Sequence, residues 1–244
     1  MRILTSLLSL GFAVPAIATA KDTWAFGNGF YTGPSTNAHI VKASWSLVQP
    51  SVPSNVTVEN ASDQVWVSLW IGLSSTAGDY STNLYQPLLN WSPDQESQGC
   101  AASASEWCVA ASTYTPDGQK GQSYVTVPQD TQVDFEVAVE SNKVVQTVSM
   151  NGKVVSKESD DPDSDLLYLY SGDECYTGSG TCGTLEGYSY DNITIYLNAP
   201  DDNFGKTLNL YSGTSSAGLT TSDNGKTWST KAINIASDEF TNAQ

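Results

Sequence analysis

From residue 40 onwards, short runs of β-branched and aromatic residues alternate with clusters of Gly, Pro, Asn, Asp and Ser, and no stretch carries a helical repeat. A chain with this rhythm buries its apolar residues by pairing antiparallel strands into sheets and packing the sheets face to face. The run 65–71, Val-Trp-Val-Ser-Leu-Trp-Ile, is apolar at nearly every position, which predicts a central strand covered on both faces. Residues 40–48 alternate more loosely and lead into Gln49-Pro50. Four further strands are predicted at 123–127, 131–140, 143–150 and 153–157. The Asn151-Gly152 pair between the last two is the strongest short hairpin signal in the chain, because both residues tolerate the positive φ of a tight two-residue turn. Strands at 166–170 and 188–197 follow, the second placing Ile193, Ile195 and Leu197 on one face and Thr194 and Tyr196 on the other. The runs 207–211 and 226–235 flank a turn at 222–225. About a dozen strands without helices make an all-β fold, a two-sheet antiparallel β-sandwich.

The N-terminus reads differently. Met1-Arg2, an apolar run from 3 to 17, and the small-residue step Ala18-Thr19-Ala20 form a secretory signal peptide over 1–20. Residues 21–244 then form a single domain of ordinary size for a sandwich, with no linker, repeat or low-complexity block. Arg2 is the sole arginine, so the mature chain is more acidic than the full chain's formal charge of −16. Such a surface repels nucleic-acid phosphate and anionic membranes, and it suits an acidic medium in which carboxylates are partly protonated. No later run has the length of a membrane helix.

Four cysteines in a secreted chain imply two disulfides, and their grouping into two local pairs favours Cys100–Cys108 and Cys175–Cys182. The sequons at Asn55, Asn60, Asn90 and Asn192 offer glycosylation sites wherever they reach solvent.

What is missing narrows the chemistry. His39 is the sole histidine, which sets aside a Ser-His-Asp triad and a multi-histidine metal site. No phosphate-binding loop is present, and neither a metal nor another cofactor is expected. The acidic run 160–165 reads as a solvated turn, since it lacks the glycine and terminal glutamate of a calcium loop. Chemistry on water therefore has to rest on carboxylates whose proton affinity is tuned by burial. The seven tryptophans offer a second route, by stacking on a sugar or covering an apolar molecule. Trp66 and Trp70, evenly spaced in the most apolar strand, are expected in the core. Trp45, Trp91 and Trp107 are the candidates for a cleft, and Glu106 beside Trp107 is a further acid.

The segments Val-Trp-Val-Ser-Leu-Trp-Ile-Gly over 65–72, Asn-Leu-Tyr-Gln-Pro-Leu-Leu-Asn-Trp over 83–91, 125–133, the hairpin at Asn151-Gly152 and Cys182-Gly-Thr-Leu-Glu186 resemble, in order, the motifs of fungal glutamic peptidases, the eqolisins. The resemblance spans roughly residues 40–196. It implies a concanavalin A-like sandwich, secreted by a fungus-like cell, with Gln86 and Glu186 as the catalytic pair: Glu186 activating water as general base, Gln86 orienting the water and stabilising the oxyanion. The sequence departs from the family at the sites themselves. Pro87-Leu88 follow Gln86 where the family has Thr-Gly, Gly187 follows Glu186 where it has Trp, and the step from Cys182 to Glu186 is one residue shorter. Three readings follow: an acid hydrolase acting on polypeptide, a non-catalytic glycan-binding sandwich, and an enzyme acting on an apolar small molecule in the same cleft. The expected assembly is a monomer or a weak homodimer.

Overall fold

The computed structural model describes residues 23–60 and 63–240; the signal-peptide reading over 1–20 lies outside them. In chain order the strands are β1 (Thr23–Phe26), β2 (Phe30–Thr32), β3 (Ile40–Val48), β4 (Trp66–Ser74), β5 (Leu84–Tyr85) and β6 (Leu88–Trp91). Next come β7 (Trp107–Ala110), β8 (Ser112–Thr115), β9 (Gly118–Gly121), β10 (Val125–Val127), β11 (Gln132–Glu140) and β12 (Lys143–Met150). The last are β13 (Lys153–Asp160), β14 (Tyr168–Thr177), β15 (Tyr188–Leu197), β16 (Asn209–Leu210), β17 (Thr214–Ser216) and β18 (Thr227–Ile235). A short 3-10 turn at Phe204–Thr207 precedes β16.

All pairing is antiparallel and sorts the strands into two sheets. Sheet A runs β10-β7-β6-β4-β14-β2-β16, extended by β1 alongside β14 and by β5, β8 and β9 at one corner. Sheet B runs β13-β12-β11-β3-β15-β18-β17. The hairpins are local where turn chemistry permits: Asn151 and Gly152 take φ of 52° and 72°, and Ser141 and Asn142 take 49° and 62°, both pairs in the left-handed region a two-residue hairpin turn requires. The strands expected from sequence over 40–48, 131–140, 143–150, 188–197 and 226–235 are all present, with ends shifted by a residue at most.

Between the sheets lies one contiguous apolar core. Val67, Leu69, Ile71 and Leu73 of β4 meet Val133, Phe135 and Val137 of β11, Ile193, Ile195 and Leu197 of β15, and Trp45 of β3. Because strand side chains alternate, this assigns every other β4 residue to the opposite face. Trp66 and Trp70 therefore point out of the sandwich, contrary to expectation, whereas Trp45, Trp91 and Trp107 point in. Trp107 is 1% exposed and donates its indole N–H to the Pro50 carbonyl at 2.9 Å; Trp91 donates to the Ala104 carbonyl at 2.8 Å; Trp45 stacks on Phe135. Trp107 and Trp91 thus satisfy their one donor while burying their rings, which is how an indole enters a core.

Both disulfides pair the local cysteines expected, Cys100–Cys108 and Cys175–Cys182. Among the described residues no helix is long and apolar enough to cross a membrane.

Candidate functional site

The outer face of sheet A carries a second apolar cluster. Trp70, Leu84 and Leu88 form its buried floor, with Phe26, Tyr114, Tyr124 and Tyr170 packed against them. Register explains the gathering. Leu88 lies opposite Trp70, Phe26 opposite Glu174, and Tyr170 opposite Gly72, so side chains of one parity on four strands share this face. Gly172, opposite Trp70, is essential to it: a Cβ there would lie 2.4 Å from the Trp70 ring, so the indole lies flat over the glycine.

Glu174 is the one carboxylate that the described strands project onto this face. It is half-buried, and Trp70 Nε1 donates to its Oε2 at 3.1 Å. Burial among the aromatic rings penalises its charge and lifts its pKa to about 7, a rise the Trp70 hydrogen bond only partly offsets. Burial, and after it the charge on Glu174, disfavours ionisation of Tyr80 and Tyr124, the latter pushed up to about 12. Tyr80, 64% exposed on the connection between β4 and β5, stands edge-on to Tyr114, and Tyr170 is held near the Gly78 backbone and the Ser74 hydroxyl. Beyond Glu174 along the strands, Trp66 stacks on Tyr176, and Trp24 meets both rings edge-on. A carboxyl group of near-neutral pKa, reachable by solvent and ringed by aromatic side chains, is a proton donor and acceptor poised near pH 7.

Of the residues expected to do chemistry, Gln86 shares this face: it lies between β5 and β6, 5% exposed, against Gly72 of β4. Its Nε2 donates to Gln119 Oε1 at 3.4 Å. Glu186 does not join it. That residue is exposed on the connection from β14 to β15, beside Leu185, whose backbone pairs with Asp238. Among the described residues Gln86 and Glu186 are not hydrogen-bonded to one another; Gln86 bonds Gln119 instead. Glu106 is a half-buried residue just before β7 whose carboxylate accepts from the Ser103 backbone N–H and hydroxyl, and these bonds hold its pKa below the usual range. Trp45, Trp91 and Trp107, taken as cleft residues from sequence, fill the core instead, because their parity faces sheet against sheet. The acidic run over 160–165 is tied down piecewise: Asp160 accepts from Thr113, Asp161 from Lys143 and Asp163 from the Asn83 N–H. Among the described residues no cluster of His, Cys, Asp and Glu is arranged to hold a metal ion.

Asn55 and Asn192 are exposed, as is Asn60, whose sequon continues outside the described residues. Asn90 is 3% exposed and accepts the Ser68 hydroxyl at 2.6 Å, so the folded chain leaves no room for a glycan on it.

Sequence reasoning missed Glu174 because the predicted strand stopped at Tyr170. The signal was present: Tyr168, Tyr170 and Tyr176 recur with the parity of Glu174, against Leu169 and Cys175 on the other.

Two antiparallel sheets packed face to face, with a carboxyl group set in an aromatic outer face, define the class: an all-β sandwich of the concanavalin A-like, jelly-roll kind. No protein-family model and no curated protein sequence matches the chain. Solved structures do. Scytalido-glutamic peptidase, crystallised with a transition-state analogue inhibitor, superposes with a TM-score of 0.52 at 13% identity, covering 87% of this chain and 98% of its own. Matches also include a Caenorhabditis elegans galectin (TM-score 0.34, 12% identity, 66% and 99% coverage) and sheep galectin-11 in complex with glycerol (0.32, 8%, 62% and 93%). At such identities the likeness to the peptidase is one of fold.

Proposed function

We propose that this protein is a secreted acid–base enzyme acting on an uncharged, largely apolar substrate on the outer face of sheet A, with Glu174 as the proton-transfer group. The observation that carries the reading is the setting of Glu174: half-buried, held by the Trp70 indole, ringed by aromatic side chains and raised to a pKa of about 7. Desolvation is what tunes a carboxyl group for proton transfer near neutrality, and an apolar floor supplies orientation for a substrate without charge. Two disulfides, which persist in oxidising compartments, support the secreted part of this reading.

A generic proton-abstraction substrate tests this. With 5-nitrobenzisoxazole, the carboxylate takes the ring C–H proton while the N–O bond breaks, giving a nitrile and a coloured phenolate. A general base must be ionised, so the rate is expected to rise with pH through about 7 and then level off. Glu174→Gln abolishes it and Glu186→Gln leaves it intact; equal activity of Glu174→Gln and wild type would sink the reading.

A second reading, peptide-bond hydrolysis by Gln86 and Glu186, draws on the shared fold with scytalido-glutamic peptidase and the position of Gln86 on the outer face. Cleavage of denatured casein at pH 3 to 5 that is lost in both Glu186→Gln and Gln86→Ala would favour it.

A further inference from the structure

The outer face of sheet B, across the core from Glu174, carries an open groove of about 320 Å³. Two in-register rows of polar side chains wall it. Asp191, Ser46, Asp134 and Ser149 lie opposite one another across β15, β3, β11 and β12, and Thr194, Ser44, Glu136 and Thr147 form the next row of the same parity. Between the rows, Trp45 and Phe135 turn their rings into the core, so the floor is strand backbone. At the β15 end of this channel the register slips between Asp191 and Thr194, and Asn192 takes the extra position with φ of 54°. A bulge of this kind re-aims a side chain. Asn192 is exposed, lines the groove, and donates from Nδ2 to the Ser46 hydroxyl of β3 at 3.1 Å, so its amide nitrogen points across β3 into the channel.

Asn192-Ile193-Thr194 is a glycosylation sequon. An amide nitrogen carries two hydrogens and N-glycosylation replaces one, so the other still serves the bond to Ser46. The first sugar ring then starts over β3, between the two rows. The walls suit a neutral polyol. Asp134 uses one carboxylate oxygen to accept from Gln132 Nε2 at 2.7 Å, and Glu136 uses one in its ion pair with Lys42. The second oxygen of each is left to accept from a sugar hydroxyl or acetamido N–H, and the Ser44, Thr147 and Ser149 hydroxyls both donate and accept. An anionic ligand is repelled by the two carboxylates, and an apolar one finds only apolar side chains that turn inward. From β15 to β12 is three strand spacings, roughly 14 Å, room for a disaccharide. A free sugar held in so open a groove leaves readily; a covalent tether offsets the cost of association by keeping the local concentration high.

We infer that the groove on sheet B is the seat of the protein's own N-glycan, with the core N-acetylglucosamine disaccharide on Asn192 lying across β3, β11 and β12 against Asp134, Glu136, Thr147 and Ser149. Asn192 is in this arrangement a modification site whose sugar packs as part of the fold. The inference is independent of the Glu174 reading and depends on the chain entering a glycosylating secretory pathway.

Site-resolved deglycosylation tests it, on the full-length chain expressed in a glycosylating yeast and collected from the medium. Mass spectrometry is expected to find the Asn192 peptide modified. Peptide N-glycosidase is expected to release that glycan from the folded wild type roughly tenfold more slowly than from the double variant Asp134→Ala, Ser149→Ala, as when the core leaves the groove about a tenth of the time. Both substituted side chains are half-buried on the outer face, so the variant keeps the wild-type tryptophan emission. In the wild type with isotope-labelled sugar, nuclear Overhauser effects are expected between the acetamido methyl and the Thr147 methyl. They decide the matter by themselves if the double variant does not fold. An unmodified Asn192, equal release from wild type and folded variant, or absence of the Thr147 contact in the glycosylated protein overturns the inference and leaves the Glu174 reading standing.

Discussion

Asp173, next to Glu174 but pointing into the core, makes the stability of this fold depend on acid. It is 1% exposed, accepts a hydrogen bond from the Tyr188 hydroxyl, and its Oδ2 has no partner. Gly27 separates it narrowly from Asp238: a Cβ on that glycine would lie 2.9 Å from Asp238 Oδ2 and 3.1 Å from Asp173 Cβ. Burial first, and the neighbouring Asp238 charge second, raise the pKa of Asp173 to about 8, against the bond from Tyr188. The folded chain therefore keeps a proton that the unfolded chain releases near pH 4. Between those two values stability falls as pH rises, by about 1.4 kcal/mol per pH unit for this one group, and it is fully present only in acid. Over the whole window the loss is of order 5 kcal/mol, comparable to the entire stability of many domains. Glu174, raised to about 7, adds a slope of the same sign between about pH 4.5 and 7. The perturbation is Asp173→Asn, which keeps the acceptor for Tyr188 and removes the charge. Urea unfolding followed by tryptophan fluorescence from pH 4 to 8.5 should give a wild-type midpoint that falls steadily. In the variant that fall should be reduced to the part due to Glu174, with higher stability than the wild type at pH 8. An unchanged slope in Asp173→Asn would refute the assignment of the proton to this residue.

Other consequences are quick to check. Trp70 donates to Glu174, so tryptophan emission should titrate with a midpoint near pH 7 in the wild type and lose that transition in Glu174→Gln. In a glycosylating secretory host, mass spectrometry should find the Asn90 peptide unmodified, since its amide is buried against Ser68, and glycan on Asn55 or Asn192; occupancy at Asn90 would contradict its position. Trp107→Ala should destabilise the fold by about 3–5 kcal/mol in urea titration, as expected for emptying a buried aromatic site, whereas Trp24→Ala on the outer face should cost far less. Comparable costs for the two would mean that the faces are misassigned.

Much of this molecule was legible without coordinates. Strand positions came from β-branched runs and turn residues, the Asn151-Gly152 hairpin from the need for positive φ, and the cysteine pairing from proximity in sequence. All of these are local, and local chemistry decides them. The faces were a different matter. In β4 every position from Val67 to Leu73 is apolar or small, so the sequence contains no alternation to say which parity faces the other sheet. Trp66 and Trp70 were read inward and Trp45, Trp91 and Trp107 outward, and packing reversed both, because only the second sheet determines which parity is enclosed.

The site follows the same division. Gln86 could be named from its motif, but Glu174 becomes a chemical group only when β14 lies beside β4 with Gly172 beneath the Trp70 ring, a pairing of segments a hundred residues apart. The pKa of a carboxyl group depends on the dielectric and the donors around it, and neither exists until the strands have met. The sequence by itself determined that the chain forms a disulfide-stapled sandwich of antiparallel strands, since turn chemistry and side-chain shape act over a few residues. Tertiary structure alone decided which residues face solvent, which carboxyl group is desolvated, and hence where proton chemistry can occur, because burial is a property of pairs of segments that sequence order does not bring together.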